Sequence, residues 1–427
     1  MSLGGAINSA VSALNAQSQA LAMISDNISN SSTVGYKSSA ANFSALVTQQ
    51  YGSVGYASGG VSVSSQRNVG QQGLIQSASS STSLALDGSG LFVVAEISDS
   101  GKVNYAYTRD GQFSTNEDGQ LANAAGYLLM GYPVDENGDA LAGSVNYVTD
   151  LEPIDLDSIG GTAEATANVT LAANLPADAE VGDSFTTDVE IFDSLGLSHD
   201  VTLTWNKTAA NSWELSFSNP TASGDSSAVT GTSSGGPITI NFNSDGTLAG
   251  LSPAGAELTI TGWTTGAADS TIAFDLGEAD SATGLTQYAS GEDEPDVEID
   301  TLEADGARYG TLVDVSIGED GLVTANFENG LSRPIYRIPV AVFANPDGLQ
   351  ALSGNLYLPT GDSGDYLLKT AGVGSTATIQ SSALESSTVD IADEFSKMIV
   401  AQQAYSAASK VVSTANEMMD TLINAVR

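Results

Sequence analysis

The chain has 427 residues, with 12 Lys+Arg against 51 Asp+Glu, one His and no Cys, for a formal charge of −39 at pH 7. A polyanion of this kind repels phosphate backbones and anionic lipid, which argues against nucleic-acid and membrane-surface binding. The lack of Cys excludes disulfides, thiolate zinc sites and thiol nucleophiles.

No apolar run reaches the ~18 residues a membrane span needs, so no membrane insertion is expected. Residues 1–17 have no basic stretch and no continuous apolar core, unlike an ordinary secretory signal. At roughly 150 residues per domain the length predicts about three domains. Charged residues are only 15%, against ~25% in typical chains, so Ser, Thr, Asn and Gln must cover much of the surface.

Helical periodicity opens the chain. Ile7, Leu14, Leu21 and Ile28 recur every seven residues, with Val11, Ser18 and Ser25 at companion positions, so the stripe is apolar on one edge and small and polar on the other. The spacing predicts a helix of about 27 residues, roughly 40 Å long. With Asp26 as its only charge, this helix suits being surrounded by protein.

From residue 31 to about 70 the composition turns to Ser, Gly, Gln and Asn, read as a linking segment. Strand signals follow at 84–86, 91–97, 105–109 and 127–132, each bounded by turn residues such as Asp87-Gly88 and Asp110-Gly111. This spacing suits an all-β sandwich or barrel, with 71–147 as its first half.

Residues 148–299 are a distinct block, with 25 acidic residues against one basic residue, Lys207. Strands are predicted there at 185–192, 201–205, 213–217 and 238–242. The block reads as a second β domain inserted into the first, with Glu292-Asp293-Glu294-Pro295-Asp296 marking its exit. Strand patterning with basic residues resumes over 300–374, at 312–317, 322–327 and 335–343. A turn at Asn345-Pro346-Asp347-Gly348 and a Gly-spaced loop over 361–374 follow.

The last segment, 375–427, is read as a linker and helix. Leu384, Ile391, Met398, Tyr405, Val412, Met419 and Val426 recur every seven residues, with Phe395, Gln402, Ser409, Asn416 and Ile423 on the second seam. Matching heptads at both ends predict that the termini pair with each other or with other copies. A hairpin packed on a globular body would also fit. The Ser, Asn and Gln at the seam favour assembly, because such a pair buries little apolar area alone. The fold class expected is α+β, mainly β, with terminal helices paired as a coiled-coil-like segment around two nested β-sandwich or barrel domains.

Catalytic patterns are weak. Gly231-Thr232-Ser233-Ser234-Gly235 matches G-x-S-x-G, but its surroundings are Ser/Gly-rich and the single His199 precedes the Ser, against the order of that fold's triad. Gly88-Ser89-Gly90 lacks the Lys and helix of a phosphate loop and reads as a tight turn. Asp135-Glu136-Asn137-Gly138-Asp139 fails the calcium-loop spacing, with Asn146 at the twelfth position. No enzyme activity, cofactor or metal is expected. Lys37 and Arg109 stand out because cations are scarce, and a satisfied salt bridge is as good a reading as a special role.

Asn27-Ile28-Ser29-Asn30-Ser31-Ser32-Thr33-Val34-Gly35-Tyr36-Lys37 resembles the N-terminal signature of bacterial flagellar rod and hook axial proteins. Further similarity follows in order: residues 72–77, residues 86–94, then Tyr107-Thr108-Arg109-Asp110-Gly111-Gln112-Phe113, residues 126–133 and Asn329-Gly330. It continues through residues 340–344 and Asn345-Pro346-Asp347-Gly348-Leu349 to Leu384-Glu385-Ser386-Ser387-Thr388-Val389-Asp390. In the closing helix, Met398, Gln402, Tyr405 and 410–412 also fit. Thr388 stands where that family usually has Asn.

The resemblance implies a structural subunit that polymerises into a curved hollow tube linking rod to filament and transmitting torque as a universal joint. The size of the insert favours a hook over a rod member. A distal-rod or other axial protein is the alternative, and a secreted adhesive β protein a remote one. The resemblance also implies an extracellular place on the flagellum, attached to the basal body. Implied partners are other copies of the chain, the distal rod protein, the hook–filament junction protein, the hook cap and hook-length-control proteins, and the flagellar type III export apparatus.

Overall fold

The structure, a computed structural model, describes residues 3–46, 59–98, 101–141, 147–291, 294–374 and 376–426, with side chains of 4–424 within those spans. Asn146, the Glu292-Asp293 pair, the middle of the 31–70 segment and the side chain of Val426 therefore lie outside the described residues. The chain is mainly β, with one long helix at each end, α1 (Leu3–Ser29) and α2 (Ile391–Val426). Among the described residues no helix is long and apolar enough to cross a membrane.

Instead of three domains there are two compact units: residues 1–159, 315–325 and 333–427 form the first, and 160–314 with 326–332 form the second. The boundary differs from the acidic block at 148–299. Leu151 and Ile154 are buried in the first unit, while the strand Glu298–Ala304 pairs with Asn168–Asn174 in the second. Acid content marks exposed surface and does not identify which sheet a strand joins.

In the first unit the central strand Leu91–Ile97 lies between Val103–Thr108 on one edge and Leu128–Pro133 and Pro339–Phe343 on the other. Its first five residues are all buried, as a near-continuous apolar run requires when both faces are covered. Val93 and Ala95 join Tyr107, Met130, Phe343 and Leu368 in one cluster, where Tyr107 meets Phe343 edge-on at 4.9 Å. On the opposite face Phe92 meets Phe113 edge-on at 5.8 Å.

Three local expectations change. The linking segment holds an antiparallel pair, Ser39–Ala45 with Val61–Arg67, lying against α1. The strand expected over 335–343 divides into Ser332–Arg337 and Pro339–Phe343. The Gly-spaced loop contains the strand Tyr366–Thr370, paired in register with Pro339–Phe343.

The helices pack along each other, but not on the expected seams. On α1 the buried line is Ala10, Ala16, Ala20, Ile24 and Asn27, with Ile7, Leu14, Leu21 and Ile28 half-buried beside it and Val11, Ser18 and Ser25 exposed. On α2 it is Glu394, Ala401 and Ala415, with Met398 and Val412 half-buried. Ile391, Phe395, Tyr405, Met419 and Ile423 stay 42–56% exposed, and Gln402, Ser409 and Asn416 face outward too.

Leu384 is not helical. It sits in the strand Ala383–Glu385, opposite Gln76. The helix starts only where Asp390 Oδ1 accepts the N–H groups of Ala392 (2.8 Å) and Asp393 (3.2 Å), an N-cap reinforced by acidic Asp393 and Glu394 in the first turn.

The second unit is a sandwich of a six-stranded and a seven-stranded sheet, mostly antiparallel, around one apolar cluster. Strict alternation along Ser198–Ala209 buries Val201, Leu203 and Trp205 and brings His199 and Lys207 inside with them.

Candidate functional site, a buried ionic junction

Three segments far apart in sequence meet in the first unit: the stretch after α1, the turn after Val103–Thr108, and the stretch before α2. At their centre is Glu385, fully buried. Its Oε1 accepts Lys37 Nζ at 2.6 Å and the Gly73 N–H at 2.6 Å, and its Oε2 accepts Arg109 Nη1 at 3.2 Å. Lys37 is 1% and Arg109 3% exposed.

Remaining donors are directed at backbone. Lys37 also donates to the Gln71 carbonyl, and Arg109 donates to those of Gly88 (2.6 Å) and Leu86 (3.3 Å). The node holds two cations and one anion, enclosed in a chain of strongly negative charge. Burial pushes the Lys37 ammonium and the Arg109 guanidinium below their ordinary ranges, against the pull of Glu385 on both. Removing the shared carboxylate from such a group strands charge out of water, at about 3–5 kcal/mol.

The signature residues surround this node. Gly35 has φ +65°, its N–H donates to the Glu385 carbonyl at 2.8 Å, and a Cβ there would fall 2.7 Å from Asp110 N. Only glycine tolerates both the left-handed backbone and this approach. Tyr36 and Thr388 join the two strands of chain, since the Thr388 N–H donates to the Tyr36 carbonyl (3.1 Å) and Thr388 Oγ1 accepts the Ser38 N–H (3.0 Å). Thr at this place thus keeps a side-chain bond.

Asn27 is the hub between the helices. Its Oδ1 accepts the Ser39 N–H (2.9 Å) and the Tyr36 hydroxyl (3.2 Å), while Nδ2 donates to the Ser39 carbonyl (2.8 Å) and to Glu394 Oε2 (3.2 Å) on α2. Asn30 and Thr33 close the end of α1, with Thr33 Oγ1 donating to Asn30 Oδ1 at 3.2 Å.

Other signature residues are built into neighbouring turns. The Asp110 N–H donates to Thr108 Oγ1 and its Oδ1 accepts the Gln112 N–H, with burial pushing its carboxyl up. The Gly111 carbonyl accepts the Leu84 N–H, and Phe113 fills the core. Asn345, Pro346 and Gly348 form a separate turn: Asn345 Nδ2 donates to the Asp362 carbonyl, and Asp347 Oδ1 accepts the Gly70 N–H. Leu349 is buried beside that turn, and Val389 and Asp390 lead into α2.

The sequence singled out Lys37 and Arg109 without showing that they share one carboxylate. Glu385, Glu394 and Asn355 were not among the expected site residues. Asn355 has φ +57° and its Nδ2 donates to the Val34 carbonyl at 2.9 Å.

In the second unit the G-x-S-x-G stretch makes no nucleophile–base pair. Ser233 Oγ donates to Asn219 Oδ1, whereas His199 is engaged by Asp193 (3.2 Å) and Thr230 (2.9 Å). In the first unit, Asp135 Oδ1 accepts the N–H groups of Asn137 and Asp139, forming a turn. Among the described residues no group of three or more His, Asp or Glu is placed to hold a metal.

The junction holds backbone crossings together: Asn27 ties α1 to α2 and to Ser39, and Glu385 ties the stretch after α1 to the turn after Val103–Thr108.

Comparison with known proteins agrees in register. Residues 7–37 match the family described as flagella basal body rod protein, and residues 85–179 the flagellar hook protein FlgE/F/G D1 domain. Residues 155–307 match the flagellar basal body protein FlaE D2 domain, and 380–425 the flagellar basal body rod FlgEFG protein C-terminal family. Over its whole length the chain is 36% identical to the flagellar hook protein FlgE of Rhizobium meliloti (strain 1021), all of which is covered. It is 30% identical to that of Escherichia coli (strain K12), covering 98% of this chain and 99% of that one. A solved flagellar hook protein FlgE2 of Helicobacter pylori aligns with a TM-score of 0.46 at 14% identity, over 71% of this chain and 99% of that one. With full-length similarity above 30% and its rod, D1, D2 and C-terminal segments in order, the chain belongs to the flagellar hook protein FlgE family.

Proposed function

We propose that this chain is the structural subunit of a bacterial flagellar hook, polymerising into a curved hollow tube that joins rod to filament and transmits torque as a universal joint. Family membership over the full length supports the hook reading. The observation that carries self-assembly is the exposed apolar surface of α2, where Phe395, Ile399, Val400, Met418, Leu422 and Ile423 are at least half exposed. So many exposed apolar side chains, on several sides of a long helix, are what neighbouring helices cover.

In this reading the terminal helices line the inner tube. The buried junction couples them to the β body, and the acidic second unit faces outward, outside the cell. Ile7, Leu14, Leu21, Ile28, Ile391, Met398, Tyr405, Val412, Met419 and Val426 then contact other copies. The distal rod protein would seat one end of the tube and the hook–filament junction protein the other. The cap, length-control and type III export proteins would act during growth.

Electron microscopy of purified polymers tests this. Curved tubes are expected. Straight tubes would favour the distal-rod alternative, for which the rod-family matches at both ends are the specific support. Absence of any polymer would refute both.

A further inference from the structure

The second unit carries 26 acidic residues and only two basic ones, Lys207 and Arg308. Lys207 points inward: its ammonium donates to the carbonyls of Ala177 (2.6 Å) and Ala179 (2.9 Å) and lies 5.5 Å from the centre of the Trp213 ring. Arg308 is exposed on the strand Ala307–Gly310. It is the one cation that this unit offers to solvent.

Exposed apolar side chains lie on the neighbouring backbone. Tyr309 is 57% exposed, with its ring over Gly161, where any side chain would overlap it. The turn at 193–197 packs on the same strand, and a Cβ on Gly196 would fall 2.5 Å from Tyr309 N and 3.2 Å from the Arg308 carbonyl carbon. Leu195 and Leu197, on either side of that glycine, are 53% and 51% exposed. Buried Asp193 holds the turn. Its Oδ1 accepts the N–H groups of Leu195 (2.9 Å) and Leu197 (3.0 Å), and its Oδ2 accepts the Thr265 hydroxyl at 2.7 Å. A rigid backbone presenting Leu, Leu, Tyr and Arg has the composition of an interface centre.

A complementary surface exists on the same unit. The strand Glu298–Ala304 is paired on one side, with Asn168–Asn174, and there exposed Glu298 and Asp300 flank Ile299. Roughly 20 Å of strand separates Glu298 from the turn leading to Arg308.

Resting on the hook-subunit reading, we infer that the patch of Leu195, Leu197, Arg308 and Tyr309 docks on the acidic edge at Glu298, Ile299 and Asp300 of a second copy. Charge complementarity selects this occupant, because the exposed charged side chains of this unit other than Arg308 are acidic. Two different patches joined head to tail propagate as a helical array. A contact centred on one guanidinium is small and salt-screened, which suits outer units that must shift as a tube bends.

The chain lacks Cys, so Leu197→Cys with Ile299→Cys introduces its only thiols. Oxidised polymers of this double variant are expected to give a ladder of covalent multimers on a denaturing gel, with each single variant giving none. Adding Arg308→Glu should abolish the ladder, and adding Glu298→Arg and Asp300→Arg as well should restore it. A double-cysteine chain that stays monomeric, or a ladder indifferent to Arg308→Glu, overturns the inference. Micrographs of the same sample separate the causes: tubes without a ladder leave the hook reading standing, and absence of tubes refutes both.

Discussion

Glu385→Gln keeps the shape of the junction and the acceptor for the Gly73 N–H, but removes the carboxylate that Lys37 and Arg109 share. Two cations, 1% and 3% exposed, then remain without a counter-ion. The expected cost is about 3–5 kcal/mol. At roughly 2–4 °C per kcal/mol, the first unit's melting transition should fall by about 6–20 °C. Lys37→Met is the control. It leaves Arg109 and Glu385 as a balanced pair and should cost about 1–3 kcal/mol, the worth of hydrogen bonds to a charged group.

The molecule carries its own internal reference, because all three tryptophans, Trp205, Trp213 and Trp263, lie in the second unit. Calorimetry with tryptophan emission therefore separates the two transitions. The emission transition should stay in place while the other moves. An equal shift of both, or a Lys37→Met effect as large as that of Glu385→Gln, would refute the reasoning.

The variant also predicts a pH dependence. Burial already holds Lys37 below its ordinary value of 10.5, and Glu385 opposes that shift. Without the carboxylate the folded state releases the Lys37 proton more readily still than the unfolded chain. Fewer protons bound when folded means that stability rises with pH. The deficit of Glu385→Gln should narrow as the pH rises toward the ordinary lysine value of 10.5, and a deficit that widened would have the wrong sign.

Three further outcomes are expected. Gly35→Ala combines a left-handed backbone, about 1–2 kcal/mol, with overlap on the Arg109–Asp110 backbone, about 1–3 kcal/mol; denaturant melts should show the first unit weakened by the sum. Phe395→Ser with Ile423→Ser, at positions 50% and 56% exposed, should leave the monomer's melting temperature within a few degrees and abolish polymerisation in sedimentation assays. Near the ends of its longer segment the second unit is closed by the antiparallel pair Thr162–Glu164 and Ala307–Gly310, so residues 165–306 can be replaced by a short glycine linker. The shortened chain should still polymerise, with altered curvature or stiffness by electron microscopy. Complete loss of polymers would refute an outer placement of that unit.

Much of this architecture follows from local pattern. Period-seven and period-two spacings identify the two helices and most strands, because side-chain periodicity is a property of the backbone geometry itself. The signature around Gly35 was legible for the same reason: a left-handed residue demands glycine wherever it sits. Lys37 and Arg109 stood out through scarcity, yet their partner is one acid among 51, and nothing local distinguishes Glu385 from the rest. Only the fold, bringing residues 37, 73, 109 and 385 together, selects it.

Tertiary structure also decided which helix face is used. A heptad gives the period, but it does not show that Ala16, Ala20 and Ile24 are buried while Ile7, Leu14 and Leu21 are only half-buried. Likewise the acidic composition marks an exposed unit, while its limits are set by sheet pairing between strands more than a hundred residues apart. The sequence by itself determined the elements, the polymer-like termini and the location of the charge. Which distant groups share a buried site was fixed only by packing, because desolvation and hydrogen-bond geometry act between neighbours in space.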